Sequence, residues 1–253
     1  TKKILITGAN GQLGHEMRNA LKGNNRFECI FTDVAELDIC NAEAVKQTIA
    51  DNHIDYIVNC AAYTQVDKAE DNAELCKKIN TDAVENLARA AADYGARMIH
   101  ISTDYVFNGR GYRPYTEDVV PDPQSVYGST KLEGEKILTD ICPESIIIRT
   151  AWLYSPYGNN FVKTMLHLGE EREELSVVAD QIGTPTCAAD LAQAILVILQ
   201  ADTFVPGTYH FSDEGACSWY DFTVTIHRLA GITTCRVTPI RLSLIHISEP
   251  TRH

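Results

Sequence analysis

Apolar residues in this chain fall in short runs separated by longer stretches at helical spacing, the alternation expected of strands and helices in turn. Lys3-Ile4-Leu5-Ile6-Thr7 predicts a first strand, Gly8-Ala9-Asn10-Gly11-Gln12-Leu13-Gly14 a turn, and the residues through Leu21 a helix. Phe27 to Thr32 predicts a second strand, Ala42 to Asn52 a helix, and Tyr56-Ile57-Val58-Asn59-Cys60 a third strand that opens into Ala61-Ala62-Tyr63-Thr64. From Ala73 to Tyr94 the apolar Val84, Leu87, Ala88 and Ala91 recur on one face, predicting one long helix packed on the sheet. Arg97-Met98-Ile99-His100-Ile101 is a fourth strand delivering Ser102-Thr103-Asp104, and Ser145-Ile146-Ile147-Ile148-Arg149 a fifth. Between them, Gly109 to Pro123 is rich in Gly, Pro and charge and reads as a loop or lid. Strands alternating with helices specify an α/β fold with a parallel, doubly wound sheet, whose ligands sit at the strand C-termini.

After the fifth strand the pattern changes. Trp152, Tyr154, Tyr157, Asn159, Asn160 and Phe161 cluster in a loop, where amphipathic side chains suit a sugar or a base. Asp180 to Thr186 forms another tight loop, and Ala188 to Leu199 predicts a buried helix. A chain of 253 residues accommodates one sizeable domain with a smaller appendage. We therefore expect a dinucleotide-type domain over residues 1–150 and a substrate region, partly interleaved with it, over 151–240.

Composition narrows the function. Forty-five percent apolar and 22% charged residues are ordinary globular values, and a net charge of -12 argues against nucleic-acid binding and docking on anionic lipid. The longest aliphatic run, Ala194 to Leu199, is too short to span a bilayer, and Thr1-Lys2-Lys3 leads straight into a strand rather than a signal peptide, so a cytoplasmic protein is expected. The eight cysteines are scattered without a Cys-x-x-Cys pair, which points to reduced thiols, and the eight histidines show no metal-ligand spacing, so no metal is expected.

Two constellations carry chemistry. The glycine turn follows a strand and opens a helix, so its backbone can approach a pyrophosphate whose charge meets the helix N–H groups and dipole. Asp33, at the end of the second strand, stands near the offset at which a carboxylate accepts from an adenosine ribose, favouring NAD over NADP; a turn or capping role fits it too. Asp38-Ile39 could border the adenine, with helix capping the other reading for Asp38. Tyr127 and Lys131, four apart on an expected helix, share one face with Cβ atoms about 5–6 Å apart. A lysine charge beside a phenol favours the anion and makes the phenol a stronger acid, suited to protonating an oxygen that becomes an alkoxide. Thr103, delivered to the same sheet edge, can reach the same ligand or simply cap a turn.

These residues resemble the extended short-chain dehydrogenases and, within them, the dTDP-4-dehydrorhamnose reductases. The segments GANGQLG, NCAAYTQVDKAE, ISTDYVFNG, PYTEDVVPDPQSVYGSTKLEGE, RTAWLYSPYGNNFVKTML, VVADQIGTPT and GTYHFSDEGACSWYDF carry the likeness from Lys3 to about Phe222. The resemblance implies a Rossmann-type domain with a smaller C-terminal substrate domain, and reduction of the 4-keto group of dTDP-4-dehydro-L-rhamnose by NADH or NADPH. It implies cofactor contacts at Gly8, Asn10, Gly11, Gln12, Leu13 and Gly14, at Asp33, Asp38 and Ile39, and at Ala62, Tyr63 and Thr64. It makes Tyr127 the proton donor, Lys131 its partner and a ribose contact, and Thr103 the hydroxyl that positions the ketone, with Thr103, Asp104 and Trp152 on the dTDP-sugar. Two other classes stay open: a nucleotide-sugar epimerase or dehydratase of the same superfamily, and a non-enzymatic subunit like the regulatory subunit of methionine adenosyltransferase. The family pattern runs through Thr238-Pro239-Ile240. Nothing after Arg241 resembles the family's further segment, and Leu242 to Arg252 looks like one reading frame of a sequencing-library transposase adapter. Residues 241–253 are therefore expected to be a non-native tail on a truncated chain, which would weaken a homodimer built from the missing part.

Overall fold

The computed structural model describes residues 1–245; residues 246–253, most of the expected tail, lie outside the described residues. The chain divides into two compact units: Thr1–Thr150 with Ala188–Phe211, and Ala151–Cys187 with the residues from Ser212 onward. The expected 151–240 region is thus discontinuous, because 188–211 returns to the first unit.

The first unit opens with β1 (Lys2–Thr7), α1 (Gln12–Leu21), β2 (Phe27–Thr32), α2 (Ala42–Asn52) and β3 (Tyr56–Asn59). There follow α3 (Val66–Asp71), α4 (Ala73–Lys77), a π-helical turn (Lys78–Asp82), α5 (Ala83–Tyr94) and β4 (Arg97–Thr103). Next come α6 (Val126–Ile141) and β5 (Ile146–Thr150). The second unit contributes β6 (Leu153–Tyr154), α7 (Phe161–Glu171), β7 (Glu174–Val178), β8 (Ile182–Gly183) and β9 (Thr186–Cys187). The chain then runs through α8 (Ala188–Gln200) and β10 (Gly207–His210) of the first unit to β11 (Cys217–Ser218), α9 (Trp219–Ala230), β12 (Arg236–Ile240) and the turn α10 (Leu242–Ile245).

Six strands form one sheet in the order β10-β5-β4-β3-β1-β2, every pair parallel. Alternate residues of each strand point to opposite faces. On one face Leu5, Ile57, Met98 and Ile147 meet Val45 and Ile49 of α2, the alanine-rich side of α5 and Leu138 of α6. Helices α1 and α8 pack together elsewhere in the unit. Only one side of α8 is buried, through Leu191, Ile195 and Leu199, while Val197 is 67% exposed. The strand order reverses between β1 and β3, so the crevice beyond their C-terminal ends is where such a sheet binds ligands.

The single helix expected from Ala73 to Tyr94 is interrupted. Its helical spacing continues through the break, but at the π turn the side chains of Asn80 and Thr81 are buried and bonded to distant segments. One extra residue in a helical turn redirects side chains, and such bulges concentrate at functional sites. In the second unit β12 pairs in parallel with β7, and Met165, Leu175, Val177 and Ile226 form its core with Phe161, Trp219 and Phe222 around them. Ser218 and Asp221 close a capping box at the start of α9.

Candidate active site

The turn from β1 to α1 forms the first wall. Gly8 has a φ of 64°, a conformation that glycine adopts without strain. A Cβ there would lie 2.7 Å from the Ala61 backbone nitrogen, and one at Gly14 would lie 2.4 Å from the Gly8 carbonyl oxygen. These two glycines let β1, α1 and the end of β3 close on one another. Gly11 has a different surrounding: its nearest neighbour would be the Gly8 carbonyl at 3.3 Å, and it caps α1 with no side-chain bond and no acidic residue in the first turn. Helix N-terminal N–H groups and the positive end of the dipole therefore gather at this turn, whose neighbouring carboxylate is Asp33. That donor set fits the pyrophosphate of a dinucleotide.

Asp33 flanks the turn. Its Oδ2 accepts from the Asn10 N–H at 3.0 Å and its Oδ1 from the Val34 N–H at 2.8 Å, so in this structure it acts as the turn-holding residue. Asp38 is exposed and accepts from the Cys40 N–H at 2.9 Å. The Ile39 side chain belongs to the core, and its carbonyl accepts from Asn86, so at an adenine edge it has little side chain to offer.

The loop Ala62-Tyr63-Thr64 is fixed by the π turn. Asn80 Oδ1 accepts from the Tyr63 N–H at 2.9 Å, and its Nδ2 donates to the Tyr63 carbonyl at 3.2 Å. Thr81 donates to the Thr130 carbonyl of α6 at 2.9 Å, and the Thr130 hydroxyl donates to the Tyr127 carbonyl at 3.0 Å. The break in the helix thus ties the Ala62–Thr64 loop to the helix bearing Tyr127.

Helix α6 begins at Ser125, whose hydroxyl accepts from the Gly128 N–H at 3.1 Å. A Cβ at Gly128 would lie 2.2 Å from the Tyr105 carbonyl oxygen, so glycine there brings α6 against the end of β4. Tyr127 is 9% exposed, its ring edge-on to Tyr105 at 5.4 Å, and Thr103 is near enough to act on its phenol. Thr103 also donates to Asp104 at 3.2 Å and accepts from the Tyr105 N–H, so it caps the following turn as well. Burial raises the Tyr127 phenol above its ordinary value; the Thr103 hydroxyl opposes this, and Asp104, Tyr105 and Cys76 add to it.

The expectation that Lys131 makes the phenol more acidic is corrected here. Lys131 is 1% exposed and donates through Nζ to the Ile101 carbonyl at 2.6 Å, with His100 Nε2 at 3.5 Å. Burial lowers its pKa to about 8, against the charges of Glu135 and Cys76. The phenol is therefore a firmly protonated donor, and the ammonium is tied to the strand behind it. Burial also raises the Asp104 carboxyl to about 6, opposed by its hydrogen bonds from Thr103 and the backbone.

His100, Glu135 and Arg149 carry no local sequence signal. His100 lies fully buried behind Lys131. Glu135, one turn after Lys131, accepts from Arg149 Nε at 3.0 Å and Nη2 at 2.6 Å, and from the Ser102 hydroxyl. These pairings join α6 to β4 and β5 and depend on long-range contacts, which spacing cannot reveal. Trp152 belongs to the second unit, at a φ of 49°, with its indole stacked on Trp219 at 3.4 Å. Gly183 supports it, since a Cβ there would lie 2.4 Å from the indole. Among the described residues, no helix is long and apolar enough to cross a membrane.

The family described as RmlD substrate binding domain matches residues 2–248. The dTDP-4-dehydrorhamnose reductase of Aggregatibacter actinomycetemcomitans is 44% identical over 228 residues, covering 88% of this chain and 78% of that protein. A crystal structure of a dTDP-4-dehydrorhamnose reductase from Clostridium acetobutylicum superposes with a TM-score of 0.92 at 49% identity, covering 99% of this chain and 87% of that one. The corresponding reductase from Bacillus anthracis, solved in complex with NADP, gives a TM-score of 0.91 at 42% identity over 96% of this chain and 86% of that one.

Proposed function

The chain belongs to the dTDP-4-dehydrorhamnose reductase family, and on that premise we propose that it reduces the 4-keto group of dTDP-4-dehydro-L-rhamnose with NADH or NADPH, giving dTDP-L-rhamnose. The observation that carries this reading is the placement of Thr103 at the end of β4 beside Tyr127 at the start of α6, with Lys131 one turn further along α6 and the glycine turn at the neighbouring switch of the sheet.

When bound, the reduced nicotinamide supplies the hydride that the keto carbon takes up. The glycine turn would hold its pyrophosphate, Asp33 its adenosine ribose, and the Ala62–Thr64 loop would line the same side. Thr103 holds the carbonyl oxygen, and Tyr127 delivers the proton that turns the developing alkoxide into a hydroxyl. A phenol kept protonated by burial suits delivery of a proton, and α6 holds it beside Thr103. Lys131 holds its end of the helix to β4 and offers its remaining N–H bonds to the cofactor ribose. Asp104 and Trp152 are assigned to the dTDP-sugar, and the reaction to the cytoplasm.

Mixing the purified protein with dTDP-4-dehydro-L-rhamnose and NADH or NADPH tests the reading. Stoichiometric cofactor oxidation supports it. Sugar isomerisation or dehydration without net oxidation would instead indicate an epimerase or dehydratase, and the absence of any turnover a binding role.

A further inference from the structure

Behind the Tyr127 and Lys131 pair runs a buried polar chain that the reduction chemistry above does not use. The Asn59 Oδ1 accepts from the Thr7 hydroxyl at 2.7 Å and from the Ala61 N–H at 3.2 Å. A backbone N–H can only donate, so the Ala61 contact fixes which end of the Asn59 amide carries the oxygen. The amide nitrogen is then directed at His100 Nδ1, 3.1 Å away. Since that nitrogen is also a donor, Nδ1 must accept, and the imidazole proton stands on Nε2. Nε2 lies 3.5 Å from Lys131 Nζ, which itself donates to the Ile101 carbonyl. Asn59, His100 and Lys131 are at most 1% exposed, which leaves water little opportunity to rearrange these roles.

We propose that His100 is a positioning residue for the catalytic lysine: Asn59 locks it as the Nε2–H tautomer, and its N–H, directed at Lys131, disfavours the ammonium and favours the amine. An ammonium has donors only and meets a second donor there, whereas an amine offers a lone pair that the Nε2–H can bond. Besides His100, the groups that act on Lys131 are Glu135 on its own helix and Cys76 on α4, and both favour the charge. His100 is the opposing contact from β4, held neutral by burial and by the lysine charge. The lock starts at Ala61, which packs on Gly8 of the β1–α1 turn, so the backbone of the cofactor side sets the hydrogen-bonding state at the lysine.

This inference rests on the reading of Lys131 as the catalytic lysine, but its test reads the lysine directly, with or without turnover. Protein labelled with ¹⁵N at histidine and ¹³C,¹⁵N at lysine is titrated by NMR. We expect His100 to show a protonated Nε2 and an unprotonated Nδ1, and Lys131 to titrate well below an ordinary lysine. His100→Phe should raise the Lys131 midpoint by roughly one unit, the scale of one removed polar contact in a buried site. The Nδ1–H tautomer, or a midpoint unmoved in folded His100→Phe, would overturn the proposal. Where His100→Phe fails to fold, Asn59→Ala serves: loss of the amide lock should lower the Nε2–H fraction and raise the midpoint together. Both values unchanged would refute it, and such a result would leave the reductase assignment standing, since cofactor oxidation is measured separately.

Discussion

Replacing Glu135 by Gln keeps the shape of a buried side chain and removes its charge. In the native protein the carboxylate takes Arg149 Nε on one oxygen at 3.0 Å, Arg149 Nη2 on the other at 2.6 Å, and the Ser102 hydroxyl. A carboxamide has one acceptor oxygen, so its NH₂ faces an N–H donor of the guanidinium. Bonds to charged groups contribute about 1.5–3 kcal/mol each, and stranding one member of a buried ion pair costs about 3–5 kcal/mol. The side chains of Arg149 and Glu135 are 8% and 5% exposed, and Arg149 Nη1 already lacks a partner among the described residues, so the upper part of that range applies. At about 2–4 °C per kcal/mol for a chain of this size, the melting temperature should fall by roughly 8–20 °C. Calorimetry measures this, with the double variant Glu135→Leu/Arg149→Met alongside. That variant removes both charges and should be more stable than Glu135→Gln. A Glu135→Gln protein within about 1 kcal/mol of the native one, or a double variant no better, would show that the pair is hydrated and the reasoning wrong.

Tyr127→Phe should fold, bind cofactor and lose roughly 10²–10⁴-fold in reduction rate, the usual contribution of a positioned general acid, measured as kcat with the keto sugar; near-normal turnover would remove the phenol from the mechanism. Asp33→Ala should shift the ratio of kcat/KM values toward NADPH, since a carboxylate favours a ribose hydroxyl over a 2′-phosphate; an unchanged ratio would leave Asp33 as a holder of the Asn10 turn only. Asp104 is raised by burial to about 6, so the folded state binds a proton more tightly than the unfolded one and stability from this group falls as pH rises between about 4 and 6. Asp104→Asn should therefore gain stability relative to the native protein across that interval, and denaturation curves with a pH-independent difference would contradict it.

The sheet was legible in the sequence because its strands are short apolar runs and its helices carry one apolar face. The expected limits of β2 and α2 coincide with those observed. Helix α3 was not, since Val66-Asp67-Lys68-Ala69-Glu70-Asp71 has almost no apolar face and is placed by tertiary contacts such as the Glu70 bond to the Val126 N–H. The π turn escaped for the same reason: Asn80 and Thr81 choose it through Tyr63 and Thr130, residues far away in the chain. Within the site, spacing placed Tyr127 and Lys131 on one helix, yet it could not reveal that the lysine nitrogen lies between the Ile101 carbonyl and His100. Depth of burial, which sets the protonation of both groups, is a property of the packed sheet and has no local sequence signature.

The central claim is that hydride leaves the nicotinamide and stays on the sugar. Running the reaction with cofactor deuterated at the transferable position, and examining the product by NMR and mass spectrometry, tests it directly. The account predicts one deuterium bound to the sugar carbon that carried the keto group, in dTDP-L-rhamnose, matched one to one by oxidised cofactor. A sugar product free of deuterium, or deuterium that returns to the cofactor with no net oxidation, would contradict it.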